Sequence, residues 1–152
     1  MAETLGSLCD KLIIIKLKEF HTEEDLQNYS SLLTQEKQII EEIDEFLIKV
    51  ISGEVRFDRL TFPSNKVYKA CDDFVIDIQG NIGKIFSELA YINCCIWHEQ
   101  ERIYEFDKVP IERKDSVVKN IAELNLKRNN CIDQIDSKFK NLIKKLYTKP
   151  TK

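Results

Sequence analysis

The chain has 152 residues, 43% hydrophobic and 32% charged, with a formal net charge of −3. That is one domain with enough apolar material for a core, and its slight acidity excludes the basic footprint of a nucleic-acid binder. Three prolines and four glycines suit an all-helical chain, and five cysteines without metal or paired spacing exclude a zinc site and a disulfide framework.

The first helix is expected from Leu5 to about Gln27. Leu5, Leu8, Leu12, Ile15 and Phe20 keep a helical stripe, which Ile13, Ile14 and Leu17 widen. A helix apolar around so much of its girth belongs at the centre of a bundle. Its run LIIIKL is too short to span a bilayer. The N-terminus lacks a basic start and a cleavable apolar stretch, so no secretory signal is expected. Reduced thiols then point to a cytoplasmic location. Thr22 with Asp25 offers an alternative, a cap that starts a new helix there.

Asn28, Ser30 and Ser31 read as a turn and N-cap before a second helix that runs to about Ile51. Leu32, Ile39, Ile43, Phe46, Leu47 and Val50 form its buried face, with Glu41, Glu42, Asp44 and Glu45 mainly outside, and Gly53 ends it. Gly53 to Ser64 has no helical period and reads as an ordered crossover packed by Phe57, Leu60 and Phe62. Pro63 and Ser64 announce a third helix, whose stripe runs from Val67 through Ile85, Leu89 and Ile92 to Ile96. Gly80 and Gly83 mark its kink or break, and it ends near Phe106. Asp107 to Lys114 is a loop. Asp115 or Ser116 caps a fourth helix that reaches about Tyr147, and the last residues are a loose end. Its apolar face is read as Val117, Val118, Ile121, Leu124, Cys131, Ile132, Ile135, Phe139, Leu142, Ile143 and Leu146.

The chain resembles itself. At an offset of about 77, LGSLCDKLIIIKLKEFHTEED lies over IGKIFSELAYINCCIWHEQER. Gly6 then falls on Gly83, Leu12 on Leu89, Ile15 on Ile92, Phe20 on Trp97 and His21 on His98, so both histidines share one repeat position. At an offset of about 92, Leu32 meets Leu124, Ile43 meets Ile135 and Asp44 meets Asp136. The expected fold is therefore an all-α four-helix bundle of two duplicated hairpins, residues 5–52 and 73–147, joined by a long crossover at 53–72.

Polar residues close to the apolar stripes mark a candidate site. Asn93, Trp97 and Glu101 lie one turn apart on the third helix, with His98 and Arg102 in the next row. In an antiparallel hairpin they approach Asn125, Arg128 and Asn129 of the fourth helix. Two readings stay open. In the first, the cluster is a satisfied interhelical network: Arg128 pairs with Glu101 or Glu99, Asn93 bonds Asn125 or Asn129, and Trp97 fills the seam. In the second, Arg102, Arg128 and His98 hold an anionic metabolite such as a nucleotide sugar, and Glu101 or Glu99 serves as acid or base. No cofactor is implied. Glu41, Asp44 and Glu45 also fall at the spacing by which carboxylates hold magnesium in all-helical nucleotide pyrophosphohydrolases.

INCCIWHEQER at Ile92 to Arg102, followed by LNLKRNNCIDQID at Leu124 to Asp136, resembles domain-of-unknown-function family 4254. CDKLIIIKLKEF at Cys9 to Phe20 is similar to the opening of a related uncharacterised family. The chain departs from the pattern at Gln100 and Glu101, where an adjacent Glu-Asp is typical. The resemblance implies a small bacterial helical protein, cytoplasmic and encoded with glycosyltransferases of lipopolysaccharide or other surface glycans. It implies a non-catalytic accessory role, with a glycosyltransferase or a second copy as partner.

Overall fold

The computed structural model describes residues 3–22, 26–62 and 80–148. Four helices make up most of them: α1 (Leu5–His21), α2 (Leu26–Ile51), α3 (Ile82–Tyr104) and α4 (Ile111–Tyr147). No strand occurs among the described residues, and the fold is the expected all-α bundle. None of the described helices is long and apolar enough to cross a membrane.

Helix senses alternate along the chain. Gly6 bonds Asp136 while Asp10 bonds Arg128, so α1 and α4 are antiparallel. Phe46 packs by Phe139 and the Val50 carbonyl meets Tyr147, so α2 and α4 are parallel. α1 contacts all three other helices, which is why it is apolar around most of its girth. Leu8 of α1, Phe46 of α2, Ile85 and Leu89 of α3 and Ile135 of α4 lose nearly all contact with water and form one core with Leu60 of the connecting segment. Each such side chain contributes roughly 1.5–3 kcal/mol.

Helix ends differ from the sequence reading in four places. α1 stops at His21 rather than Gln27, because the Thr22 hydroxyl turns back to the Lys18 carbonyl at 2.6 Å and its N–H bonds the Glu19 carbonyl. Ser30 and Ser31 therefore do not cap α2 but lie inside it, where the Ser30 carbonyl accepts from Thr34. α3 begins at Ile82, with the Asn81 side chain accepting from the Lys84 N–H. Gly80, with φ at 140°, directly precedes this start, whereas Gly83 lies inside α3. α4 begins at Ile111 on the extended Pro110, so Asp115 and Ser116 are helical and the Ser116 hydroxyl bonds the Arg113 carbonyl. The third-helix reading from Pro63 to residue 79 falls outside the described residues.

Several expected core side chains are exposed. Phe20 is 77% exposed, and Val118, Leu142 and Leu146 of α4 also face outward. In the 53–62 connection only Leu60 is buried, while Phe57 and Phe62 remain half in water. A short 3-10 turn, Phe57–Arg59, shapes this connection, and Lys140 of α4 ties it down through the Thr61 hydroxyl at 3.2 Å.

The C-terminus of α2 is finished by two devices. Gly53 takes φ at 81°, which lets its N–H reach the Val50 carbonyl. From α4, the Tyr147 hydroxyl lies 3.1 Å from the Val50 carbonyl and 3.0 Å from that of Ile51, and donates to them. Tyr147→Phe is expected to cost about 1 kcal/mol, seen as a lower urea midpoint at unchanged slope. An unchanged midpoint would show that water serves those carbonyls equally well.

Candidate functional site

The structure splits the expected polar site into an interior part and a surface part. The interior part is organised by Asp10, whose side chain is only 5% exposed. Arg128 grips this carboxylate with two parallel bonds, Nε to Oδ1 at 2.8 Å and Nη2 to Oδ2 at 2.5 Å. Asn93 Nδ2 donates to the same Oδ1 at 2.9 Å and to the Leu89 carbonyl at 3.1 Å. Three helices thus meet on one carboxylate. Asp10 holds the Arg128 guanidinium above its usual pKa range against the cost of desolvation. Arg128 therefore pairs with neither Glu99 nor Glu101, and Asn93 bonds neither Asn125 nor Asn129. Asn125 instead turns to its own helix, at the Ile121 carbonyl, and Asn129 is exposed.

The surface part gathers where α1 ends. His21 stacks on Trp97 with centroids 4.7 Å apart and planes 11° apart, and stands edge-on to His98 at 6.5 Å. Both histidines of the chain thus meet around its one tryptophan. Trp97 lies against His21, and its Nε1 donates to Glu101 Oε1 at 3.0 Å. His98 Nδ1 lies 3.3 Å from Glu101 Oε2. His98, and secondarily Trp97, hold the Glu101 carboxyl below its usual range. Arg102 pairs with Glu99 at 3.0 Å, while Glu99 Oε2 is buried without a hydrogen-bond partner among the described residues.

The eight expected site residues therefore do not share one pocket. Asn93 and Arg128 belong to the Asp10 network, Trp97, His98 and Glu101 to the surface stack, and Arg102 to a separate ion pair. No group of three or more metal-ligating side chains occurs among the described residues. On α2, Lys49 pairs with Glu45 at 2.8 Å and Lys37 lies 3.9 Å from Glu41, as on a solvated face. Cys9 and Cys131 are no nucleophiles at neutral pH: burial first, and nearby acids second, push both thiols to about 11.

Two residues central to the interior, Asp10 and Asp136, lie outside the eight expected site residues, although Asp136 borders the apolar stripe of α4 as Asn125, Arg128 and Asn129 do. Asp136 is buried against the start of α1, and its Oδ1 accepts the Gly6 N–H at 2.7 Å. Burial pushes its carboxyl up to about 6, against the lowering effect of the bonds from Thr4 and Gly6. Its unfolded value is near 3.8. The folded state thus holds the proton more tightly. Stability from this group is full below about pH 4 and is lost as pH rises through 6, a loss of up to about 3 kcal/mol. Urea midpoints at pH 4 and pH 7 test this. Relative to Asp136→Asn, the wild type should be more stable at the lower pH. Parallel pH profiles for the two proteins would refute it.

No family model matches the chain, and neither a curated protein nor a solved structure matches it. The resemblance drawn in the sequence rests on the quoted residues alone.

Proposed function

We propose that this chain is a non-catalytic accessory protein that works by binding another protein. The observation that carries this reading is the closed Asp10–Arg128–Asn93 network. The arginine best placed for an anionic substrate is spent on an interior carboxylate, and both of that carboxylate's oxygens are engaged. The two histidines and Glu101 are exposed to water, an environment that weakens the electrostatic effects a catalytic acid or base relies on. Exposed apolar residues at the same end support a docking role: Phe20, Tyr104 and Ile111 are 77%, 86% and 83% exposed. The link to surface-glycan assembly, with a glycosyltransferase or a second copy as partner, is supported by the family resemblance of the two quoted segments.

A thermal-shift screen with nucleotide sugars, sugar phosphates and magnesium tests the reading. The expected result is an unchanged melting temperature with every compound. A rise in wild type that Arg128→Lys abolishes would overturn it in favour of an anion-binding enzyme or binder. A rise with magnesium alone, abolished by Asp44→Asn, would favour a metal-dependent pyrophosphohydrolase.

A further inference from the structure

A cavity of about 460 Å³ opens at the opposite end of the bundle, where α2 and α4 finish. Its volume falls within the range of ligand pockets, roughly 300–1,000 Å³. Val50, Leu60 and Ile143 form a floor that belongs to the core. Val55, Phe57 and Tyr147 form the walls. This floor is preformed, because Gly53 and the Tyr147 hydroxyl fix the end of α2 and Lys140, over the ring of Phe57, fixes the 3-10 turn.

Among the described residues no acid lines the cavity, and the two charged lining residues are both cationic, Arg56 and Lys144. They differ in availability. Arg56 is held by Asp58 through two bonds at 3.1 and 2.9 Å. Lys144 has no anionic partner among the described residues and lies on the exposed face of the last turns of α4. A hydrocarbon interior beneath an unpaired ammonium group is complementary to an amphiphile of opposite charge. An apolar body would desolvate the walls, and a carboxylate would meet Lys144 where water still screens the pair.

We propose that this cavity binds a small free organic anion with a hydrocarbon body, a short-chain alkyl carboxylate, with its tail on Val50, Leu60 and Ile143 and its head at Lys144. The volume holds one alkyl chain and not a two-chain lipid, which selects a free carboxylate over a membrane surface. The site is separate from the Asp10 network and from the aromatic end, and it does not depend on the role proposed for either.

Sodium octanoate, titrated below its micellar range into the full isotope-labelled chain, tests the proposal by amide chemical shifts. Octylammonium serves as the counterpart of equal body and opposite charge. The expected result is saturable shifts for octanoate at Val50, Val55, Leu60, Ile143 and Tyr147. Lys144→Gln, an exposed change that leaves the core intact, should weaken octanoate about fivefold and leave octylammonium no weaker. Val55→Phe, which fills the cavity, should abolish both responses. Equal affinities for the two amphiphiles, shifts confined to the Trp97 end, or no saturation would overturn it. So would nuclear Overhauser contacts from residues 63–79 or 149–152 to the cavity lining in the free protein, since the chain would then fill the cavity itself.

Discussion

Arg128→Ala is expected to destabilise the protein by about 3 kcal/mol or more. Removing the guanidinium leaves the Asp10 carboxylate inside the bundle with the Asn93 amide as its remaining donor. Arg128 itself keeps 27% of its side chain in contact with solvent, which puts the expected cost at the lower end for buried pairs. The pair matters through what its breakage exposes, not through its net attraction. Replacing both partners by leucine should therefore recover at least half of the loss, since no charge is then left buried. Lys37→Ala, at a pair 3.9 Å apart on the surface of α2, should change stability by less than about 0.5 kcal/mol. Urea denaturation of the four proteins decides the matter. A small loss in Arg128→Ala would mean that the arginine is free to turn outward, and the closed-network argument for a non-catalytic role would fall with it.

The parts of this fold legible in the sequence are those that periodicity encodes. The breadth of the apolar surface on α1, from Leu8 and Ile15 round to Ile13 and Leu17, marks it as central, and it contacts each of the other described helices. The end of α2 was legible because Gly53 is a residue type with one conformational use there. Phe20 keeps the helical angle of the core residues, yet it is exposed, and its neighbour His21 is the residue that meets α3, at Trp97. Leu142 and Leu146 of α4 lie off the line that Ile135, Phe139 and Ile143 bury, and a broad apolar stripe does not say which of its edges meets a partner. The polar network was half legible. Arg128 and Asn93 border apolar stripes, which marks them, whereas Asp10 is one acid on a helix with several buried faces. Its partner stands 118 residues away, and no local pattern encodes that choice. The two histidines share one position of the expected repeat, and they meet beside Trp97. The duplication expected from the sequence would align Asp44 with Asp136, yet the first is exposed and the second buried, so these two acids do different work.

Gly6→Ala is expected to cost about 2 kcal/mol, against the usual gain of up to about 1 kcal/mol for glycine to alanine in a helix. A Cβ built at Gly6 stands 2.6 Å from the Ile132 carbonyl oxygen and 3.1 Å from Asp136 Oδ1. The nearer of these is backbone of α4 and cannot rotate away, so α1 has to retreat. Retreat lengthens the 2.7 Å bond from the Gly6 N–H to Asp136 and loosens the cap on the first turn of α1. Gly83 supplies the matched control. It is the second residue of α3, as Gly6 is of α1, and the two are aligned in the internal repeat. A Cβ at Gly83 meets nothing nearer than Asn81 Oδ1 at 3.9 Å. Gly83→Ala should therefore be neutral or stabilising where Gly6→Ala is harmful, although sequence and helix position treat them alike. Equal urea midpoints for the two variants would mean that α1 and α4 do not approach at Gly6. In that case the Asp10–Arg128 register, set one turn further along the same face of α1, would also have to be redrawn.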